Sequence, residues 1–478
     1  LLGGFDSLFS TLDSDPNHRG YQFEHVCRWY LLNDPIYRRQ LRQVWLWDDW
    51  PGRWGADAGI DLVAETQDGR LWAIQAKAYN PSYSVKKADV DSFLSESGRK
   101  EFSYRLLIAT TDRIAATATR AMRGQEKMAG QLMLSDLRRS EVGWPVSIDD
   151  LRSEPAQPKT PLPHQGEAIE AVLKGFRESD RGQLIMACGT GKTLASLWIT
   201  ETLETQRTLV LVPSLSLLRQ TLREWLVNTN REFSYLPVCS DDTVRDKDSM
   251  VGHVSDLGFP ATSDAEEIAS FLKEPGPSVV FSTYQSSPVV ALAMCDFDGE
   301  FDLVLADEAH RCAGPVSSDF GTVLDADLIR ARRRLFMTAT PRLFTGRIRR
   351  EAKEADFEIA SMDDDEKFGA VFHRLSFGEA IERKLLSDYR VVVVGVDDTL
   401  YRQYAESGRF VTRDGVEVTD ARSLAAQIGL AKAQRDYDLR RTISFHGRVK
   451  SAKEFADSFP DVIQWIPDED RPAGRIWT

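Results

Sequence analysis

Two groups of residues in this chain have the side chains and the spacing to handle phosphate. In the first, Gly189, Thr190 and Gly191 run directly into Lys192 and Thr193. Glycines there let the chain turn with its N–H groups aimed inward, a lysine adds a point charge, and a threonine hydroxyl at a helix mouth is a hard oxygen ligand. The result reads as a cradle for a polyphosphate, with Lys192 on the β and γ phosphates and Thr193 on Mg2+. Met186 stands where the full pattern has glycine. The partners that an ATPase needs follow downstream. Phe301 to Ala306 is an apolar stretch that ends in Asp307 and Glu308, and Arg334 to Met337 ends in Thr338, Ala339 and Thr340. Open α/β sheets bind ligands at the carboxyl ends of their strands. Asp307 is therefore expected to hold Mg2+ through water and Glu308 to orient and deprotonate the attacking water. His310 and the segment Thr338 to Thr340 are expected to couple nucleotide state to a second lobe.

The second group is Asp61, Gln75 and Lys77. Gly59 to Ala64 and Leu71 to Lys77 read as strands, and Asp68-Gly69 marks a hairpin turn between them. Residues two apart on a strand share a face, so Gln75 and Lys77 project together while Ile74 and Ala76 pack the other way. The hairpin sets Asp61 across from them. A carboxylate and an amide oxygen are hard ligands suited to Mg2+, and a neighbouring ammonium can orient the attacking water or lower its pKa. Glu24 is the candidate for a second carboxylate, and Asp57, four residues before Asp61, competes with Asp61 as the ligand. The plainer account makes Asp61 a strand-end cap, Gln75 an edge residue and Lys77 a solvated tip.

Several elements must position these groups. Gly20 to Leu32 carries Phe23, Val26, Cys27, Tyr30 and Leu31 at helical spacing, while Gln43 to Trp47 and Tyr104 to Ala109 read as further strands. Arg152 to Pro163 holds four prolines and no apolar period, which marks a connector, and a helix opens at Pro163. Asp241 to Pro260 is polar and poorly patterned and reads as a surface loop or insertion. Arg390 to Val396 reads as a buried strand, and Arg441 to Phe455 as strand, polar turn and helix. With 478 residues, 42% hydrophobic and 28% charged, the chain has room for about three soluble domains. A net charge of -13 excludes a uniformly basic coat, so any DNA path is a local groove. Basic runs occur at Arg38 to Arg42 and at Arg332 to Arg334 followed by Arg347, Arg349 and Arg350; such runs are commonly solvated helix faces. The five cysteines are scattered without zinc spacing and read as reduced thiols, mostly buried. With no leader pattern and no apolar run long enough to span a bilayer, no membrane is expected and the cytoplasm is the expected compartment.

Family resemblances extend these readings. Gly59-Ile60-Asp61 with Gln75-Ala76-Lys77 resembles the PD-(D/E)xK nucleases of the Mrr-like branch, in which the aspartate and the strand's Glu or Gln bind metal and the lysine serves the nucleophile. Gln75 replaces the more usual Glu, and weaker metal affinity follows. From Pro163 onward the chain resembles superfamily 2 helicases and translocases, with the Asp307-Glu308-Ala309-His310 box. That resemblance gives Gln165 the task of reading the adenine edge. It also makes Pro213, Ser214, Thr283, Tyr284 and Gln285 candidate DNA-backbone contacts. The implied fold is α/β throughout: a PD-(D/E)xK nuclease with a mixed sheet flanked by helices in residues 1–156, ending in the linker, a RecA-like doubly wound parallel-sheet lobe in 157–386, and an incomplete second RecA-like lobe in 387–478.

Taken together with Trp45 to Pro51, Asp307 to Gly314 and Leu375 to Arg383, these motifs resemble the Type ISP restriction-modification enzymes. The resemblance implies ATP-driven translocation along double-stranded DNA, Mg2+-dependent cleavage of unmodified DNA where complexes meet, and further methyltransferase and target-recognition domains beyond the motor. The late helix whose arginines reach the γ-phosphate has no counterpart in the sequence, so these residues are expected to be an N-terminal fragment that hydrolyses ATP poorly and does not translocate. A helicase-nuclease fusion without a methyltransferase and a decayed DNA-binding adaptor are the alternatives.

Overall fold

Asp15 and Pro16 start the first long helix. In the computed structural model, which describes residues 4–55, 59–151, 158–240, 253–315, 318–345, 358–389, 410–413, 416–447, 449–465 and 471, the Asp15 carboxylate accepts from Asn17 N and His18 N at the mouth of α1 (Pro16–Asn33). That cap places the start four residues earlier than the apolar spacing does, because the first turn is exposed and carries no period. Asp34 caps α2 (Pro35–Gln40) in the same way.

Five strands follow: β1 (Leu41–Leu46), β2 (Leu62–Thr66), β3 (Leu71–Lys77), β4 (Phe102–Ala109) and β5 (Ala129–Leu132). They lie in the order β1-β2-β3-β4-β5. The first three are antiparallel, and β4 and β5 join in parallel, giving a mixed sheet. Alternation along β3 works as the sequence implies. Ile74 and Ala76 enter the core shared with Phe23 and Cys27 of α1, while Ala73 packs on the other face with Phe93 and Leu107.

The next seven strands, β6 (Arg181–Met186), β7 (Arg207–Val212), β8 (Ser234–Val238), β9 (Ser278–Thr283), β10 (Leu303–Ala306), β11 (Arg334–Thr338) and β12 (Ala370–Leu375), form one sheet in the order β8-β9-β7-β10-β11-β6-β12. Every pairing in it is parallel. The five inner strands are buried on both faces apart from the first residues of β6 and β7, as a sheet covered by helices requires. Among those helices are α3 (Pro163–Gly175), α4 (Lys192–Thr202) and α5 (Leu215–Asn228).

The polar stretch before Pro260 is corrected in its second half. Residues 241–252 lie outside the described residues, but Val254, Leu257 and Phe259 are buried. They wedge between the two sheets: Tyr37 Oη donates to Gly258 O at 2.8 Å and Gln131 Nε2 to Asp256 Oδ1 at 2.6 Å. Helix α5 completes the junction, with Arg219 Nη1 2.8 Å from Asp136 Oδ1 and Arg223 Nη2 3.5 Å from Asp34 Oδ2. The core that begins on α1 continues without a break into the seven-stranded sheet. The basic run at Arg332 to Arg334 is also not all solvated. Arg334 is buried, with its guanidinium donating to the carbonyls of Val323, Ile329 and Ala331. Of the five cysteines, all free, Cys27, Cys239 and Cys312 are buried and Cys188 and Cys295 exposed.

The chain divides into two compact units after Leu386. In the second unit β13 (Phe410–Arg413) and β14 (Val416–Asp420) form an antiparallel hairpin. Two helices follow, α6 (Ala421–Asp436) and α7 (Val449–Trp465), packed through Leu424, Ile428 and Val462. Residues 441–447, expected as a strand, carry no regular structure. The strand expected at 390–396, residues 152–157 of the connector, Asp57, and Arg347, Arg349 and Arg350 lie outside the described residues. Among the described residues no helix is long and apolar enough to cross a membrane.

The junction yields a stability test. Asp34 is 1% exposed and also accepts from Ser140 Oγ at 3.1 Å. Arg223→Ala strands that carboxylate in the interior, and removing one partner of a buried pair costs about 3–5 kcal/mol. Chemical denaturation of the variant should show a loss of this size, and Asp34→Asn combined with Arg223→Met should recover most of it.

Candidate active sites

The phosphate loop hangs from the end of β6. Gly189 and Gly191 have φ of 82° and 84°, and a Cβ on Gly191 would lie 2.1 Å from Gln165 Nε2. Glycine is therefore required at 191 both for its left-handed backbone and for the close amide. Helix α4 begins at Lys192, so its first N–H groups open into the loop. Lys192 is buried, and its Nζ donates to Met186 O at 3.2 Å. Thr190 Oγ1 donates to Ala187 O at 2.7 Å, and Trp225 Nε1 on α5 donates to Thr193 O at 3.1 Å. Gln165, expected at the adenine edge, braces the loop: its Nε2 donates to Thr190 O at 3.2 Å and its Oε1 accepts from Leu162 N at 2.9 Å. His164 Nε2, 2.9 Å from Thr190 O, does the same. The motif reading leaves this histidine out, and its adjacency to Gln165 at the start of α3 is the one signal the sequence offers for it.

Two strands away, β10 delivers Asp307 and Glu308. Asp307 is buried, and its Oδ1 accepts from Glu308 N at 2.9 Å. Burial, then the neighbouring Glu308 carboxylate, push its pKa up to about 6, while Lys192 pulls the other way. Glu308 sits at φ 48°, a left-handed conformation costly for a residue with a Cβ and common at working sites. His310 Nδ1 lies 3.4 Å from Glu308 Oε2 and 3.1 Å from Thr338 Oγ1, which accepts from Thr340 N at 3.2 Å. Ala339 lies between the two threonines. The acidic pair and the threonine segment thus meet through one imidazole. A buried aspartate beside a half-buried glutamate fits a divalent cation brought with a polyphosphate.

The expected DNA-backbone residues do not all face solvent. Tyr284 is fully buried and its Oη donates to Asp307 O at 2.7 Å. This corrects its assignment: the short 3-10 turn Tyr284–Ser286 rotates the ring into the core behind the acidic pair. Thr283 is buried too, with Oγ1 donating to Ser286 Oγ at 3.1 Å. Pro213 is buried, Ser214 caps α5 through Leu217 N, and Gln285 is half-buried with Oε1 lacking a hydrogen-bond partner.

The second site lies at the end of the mixed sheet. Asp61 N donates to Ile74 O at 2.9 Å, extending the hairpin ladder by one residue beyond β2. Asp61 Oδ2 accepts from Ala76 N at 2.7 Å and stands 4.0 Å from Lys77 Nζ. Gln75 Nε2 donates to Gly59 O at 3.0 Å, which fixes the amide and leaves Oε1 buried with no hydrogen-bond partner. Gly59 has φ 64°, and a Cβ there would meet Ser92 Oγ at 2.7 Å. Glu24 reaches the same charge cluster from α1. Burial, then Asp61, push its pKa up to about 7, and Lys77 opposes the shift. An orphaned amide oxygen on the strand paired with the Asp61 segment, and a Glu24 carboxylate that feels the Asp61 charge, fit Mg2+ held by Asp61, Gln75 and Glu24.

Residues 32–153 match a family model described as a restriction endonuclease, and residues 158–343 one described as the res subunit of Type III restriction enzymes. The solved structure of the ATP-dependent Type ISP restriction-modification enzyme LlaBIII bound to DNA is 30% identical, with a TM-score of 0.74, over 92% of this chain and 30% of that one. A nuclease-deletion mutant of the Type ISP enzyme LlaGI in complex with a DNA substrate mimic is 39% identical over 48% of this chain and 18% of that one, with a TM-score of 0.40. The probable helicase A859L of African swine fever virus, strain Badajoz 1971 Vero-adapted, is 31% identical over 233 residues, 48% of this chain and 24% of the viral protein. The chain thus spans less than a third of the length of each of these relatives.

Glu24 gives a pH test with a defined sign. Its folded pKa of about 7 lies above the ordinary 4.5, so the folded state binds the extra proton between those values and stability falls as pH rises through that window. Glu24→Gln should flatten the thermal-melt profile between pH 4.5 and 7 in metal-free protein. The chain thus carries a restriction-endonuclease domain followed by a ResIII-type helicase domain, and its structural neighbours with that arrangement are Type ISP restriction-modification enzymes.

Proposed function

We propose that the chain is the motor and cutter of a Type ISP-like restriction system: an ATP-driven translocase on double-stranded DNA joined to a Mg2+-dependent endonuclease acting on unmodified DNA in the cytoplasm. Residues 1–156 form the nuclease, 157–386 the ATP-binding lobe, and 387–478 belong to a second lobe. What carries the reading is the pairing of two separate lysine-carboxylate centres, at the ends of strands in two different sheets, within one packed unit.

At the motor, the loop N–H groups and Lys192 hold the ATP phosphates, and Lys192 gives up its hydrogen bond to Met186 O to do so. Thr193 and Asp307 hold Mg2+, which supplies charge neutralisation for the phosphates. Glu308 takes the proton of the attacking water. His310, touching both Glu308 and Thr338, passes the state of the site to the threonine segment. At the cutter, Asp61, Gln75 and Glu24 bind Mg2+ and Lys77 orients the water that attacks the phosphodiester. Methyltransferase and target-recognition domains, and the meeting of two complexes on DNA, complete the restriction cycle in this reading.

The test separates the two centres. Lys192→Ala should reduce DNA-stimulated ATPase by at least a hundredfold, since it removes a charge that stabilises the transferring phosphoryl group. Asp61→Ala and Lys77→Ala should abolish cutting and leave ATPase within about twofold of the parent, because they belong to a different sheet from the phosphate loop. Equal loss of ATPase in the Asp61 variant would overturn the division of labour.

A further inference from the structure

The loop that follows Lys77 is held more firmly than a solvent loop requires. Thr110 and Thr111, fully buried beyond the end of β4, both turn their hydroxyls to it. Thr110 Oγ1 donates to Tyr79 O at 2.6 Å, and Thr111 Oγ1 to Tyr83 O at 2.6 Å. Asn80 closes the turn between them, with Tyr83 N donating to Asn80 O at 2.8 Å and Ser82 N to Asn80 Oδ1 at 3.0 Å. Ser84 and Val85 then pair in parallel with Arg113 and Ile114. Buried hydroxyls committed to loop carbonyls fix a shape, and loops fixed on a rigid scaffold commonly carry binding residues.

The shape is an aromatic step with a basic edge. The Tyr79 and Tyr83 rings lie 4.4 Å apart at 36°, and Lys86 Nζ is 5.7 Å from the Tyr83 ring centre. Tyr79 stands two residues beyond Lys77, and burial, then Asp89 and, further down, the Asp61 carboxylate hold its phenol above the ordinary pKa. The step therefore adjoins the cutting site. The loop acids are held in place: Asp89 Oδ2 accepts from Tyr83 Oη at 2.9 Å and Lys86 N at 2.7 Å, and Asp91 pairs with Lys87. Lys86 and Arg113 are exposed, and among the described residues neither makes an ion pair.

We propose that this loop is the nuclease's grip on the DNA strand beside the scissile phosphate, with the Tyr83 ring packed against a sugar or base and Lys86 and Arg113 on neighbouring phosphates. Rings of this kind stack on any base, and cations on phosphate carry no sequence preference, so the grip is indifferent to sequence. It suits a cutter that works wherever the motor delivers it. The proposal rests on the nuclease reading of Asp61, Gln75 and Lys77, and makes Tyr83, Lys86 and Arg113 positioning residues, with no part in the bond-breaking step.

The experiment measures DNA cutting and DNA-stimulated ATPase of the whole chain side by side. Lys86→Ala with Arg113→Ala should raise KM for cutting roughly tenfold with kcat within about twofold, and lower the salt dependence of KM by roughly 0.9 of a log-log unit for each phosphate no longer neutralised. Tyr83→Leu should raise KM similarly, while Tyr83→Phe, which keeps the ring, should not. ATPase and melting temperature should stay at parent values in the double variant. An unchanged KM in that variant, with cutting still abolished by Lys77→Ala, overturns the grip and leaves the nuclease reading intact. Cutting that survives Lys77→Ala overturns the nuclease reading itself. Photo-cross-linking of 5-iodouracil-substituted duplex, in an Asp61→Ala background that leaves DNA uncut, should label Tyr79 or Tyr83; labelling confined to residues beyond 157 also overturns the grip.

Discussion

A lysine ammonium set against a partly desolvated aspartate is the interaction on which both sites depend. Lys77 stands 4.0 Å from Asp61, and Lys192 is the cation that restrains the rise in the Asp307 pKa. In each place the fold brings a carboxylate to the end of a strand, where the sheet has just stopped supplying hydrogen-bond partners and water is thinned by neighbouring elements. An isolated carboxylate there takes a proton and loses its use. The lysine keeps positive potential nearby and so favours the ionised acid. The depth of Asp307 raises its pKa to about 6, and further cationic charge entering the site would lower it.

The two centres are not separate beads. Helix α5 begins at the Ser214 cap, sends Arg219 and Arg223 to Asp136 and Asp34 of the nuclease side, and turns Trp225 onto the carbonyl of Thr193 beside the phosphate loop. One rigid element therefore touches the phosphate cradle and the nuclease body. The wedge from Val254 to Phe259 fills the remaining gap with apolar side chains and presents Asp256 to Arg123 and Gln131. With a continuous core on both sides, the two domains pack as one unit, and α5 is in contact with each.

What the sequence discloses tracks how local the physics is. The strand Leu71–Lys77 coincides with its apolar alternation, and the turn at Asp68-Gly69 with its residue types, because both depend on neighbours in the chain. The order Gly189 to Thr193, Asp307-Glu308 and Thr338 to Thr340 is similarly readable, since each cluster ends an apolar strand. Tyr284 misleads because a hydroxyl beside Thr283 looks like a surface group, and only the third dimension shows it plugging the floor beneath Asp307. The wedge misleads for the opposite reason: Val254, Leu257 and Phe259 are too few and too irregularly spaced to register as a period, yet they meet a second domain. Asp34, Arg219 and Arg223 carry no motif at all, because an ion pair between residues 189 positions apart leaves no trace in spacing.

Gln75 shows how a departure from a family pattern can be absorbed by its surroundings. A glutamate there would place a third carboxylate beside Asp61 and Glu24, with Lys77 the adjoining cation. The amide instead commits Nε2 to Gly59 O and points a neutral oxygen into the site. Even so, Glu24 is pushed to about 7 by burial and Asp61, so at neutral pH it is protonated in a large fraction of molecules when no cation is bound. The pocket then carries little more than one carboxylate charge, and this is close to what Lys77 balances. In the proposed reading, a divalent ion held there would draw the Glu24 proton away, since a carboxylate ligand must be ionised. The cost of charging the pocket would then be deferred until the ion is present, and the neutral amide at 75 would keep that cost to at most one proton.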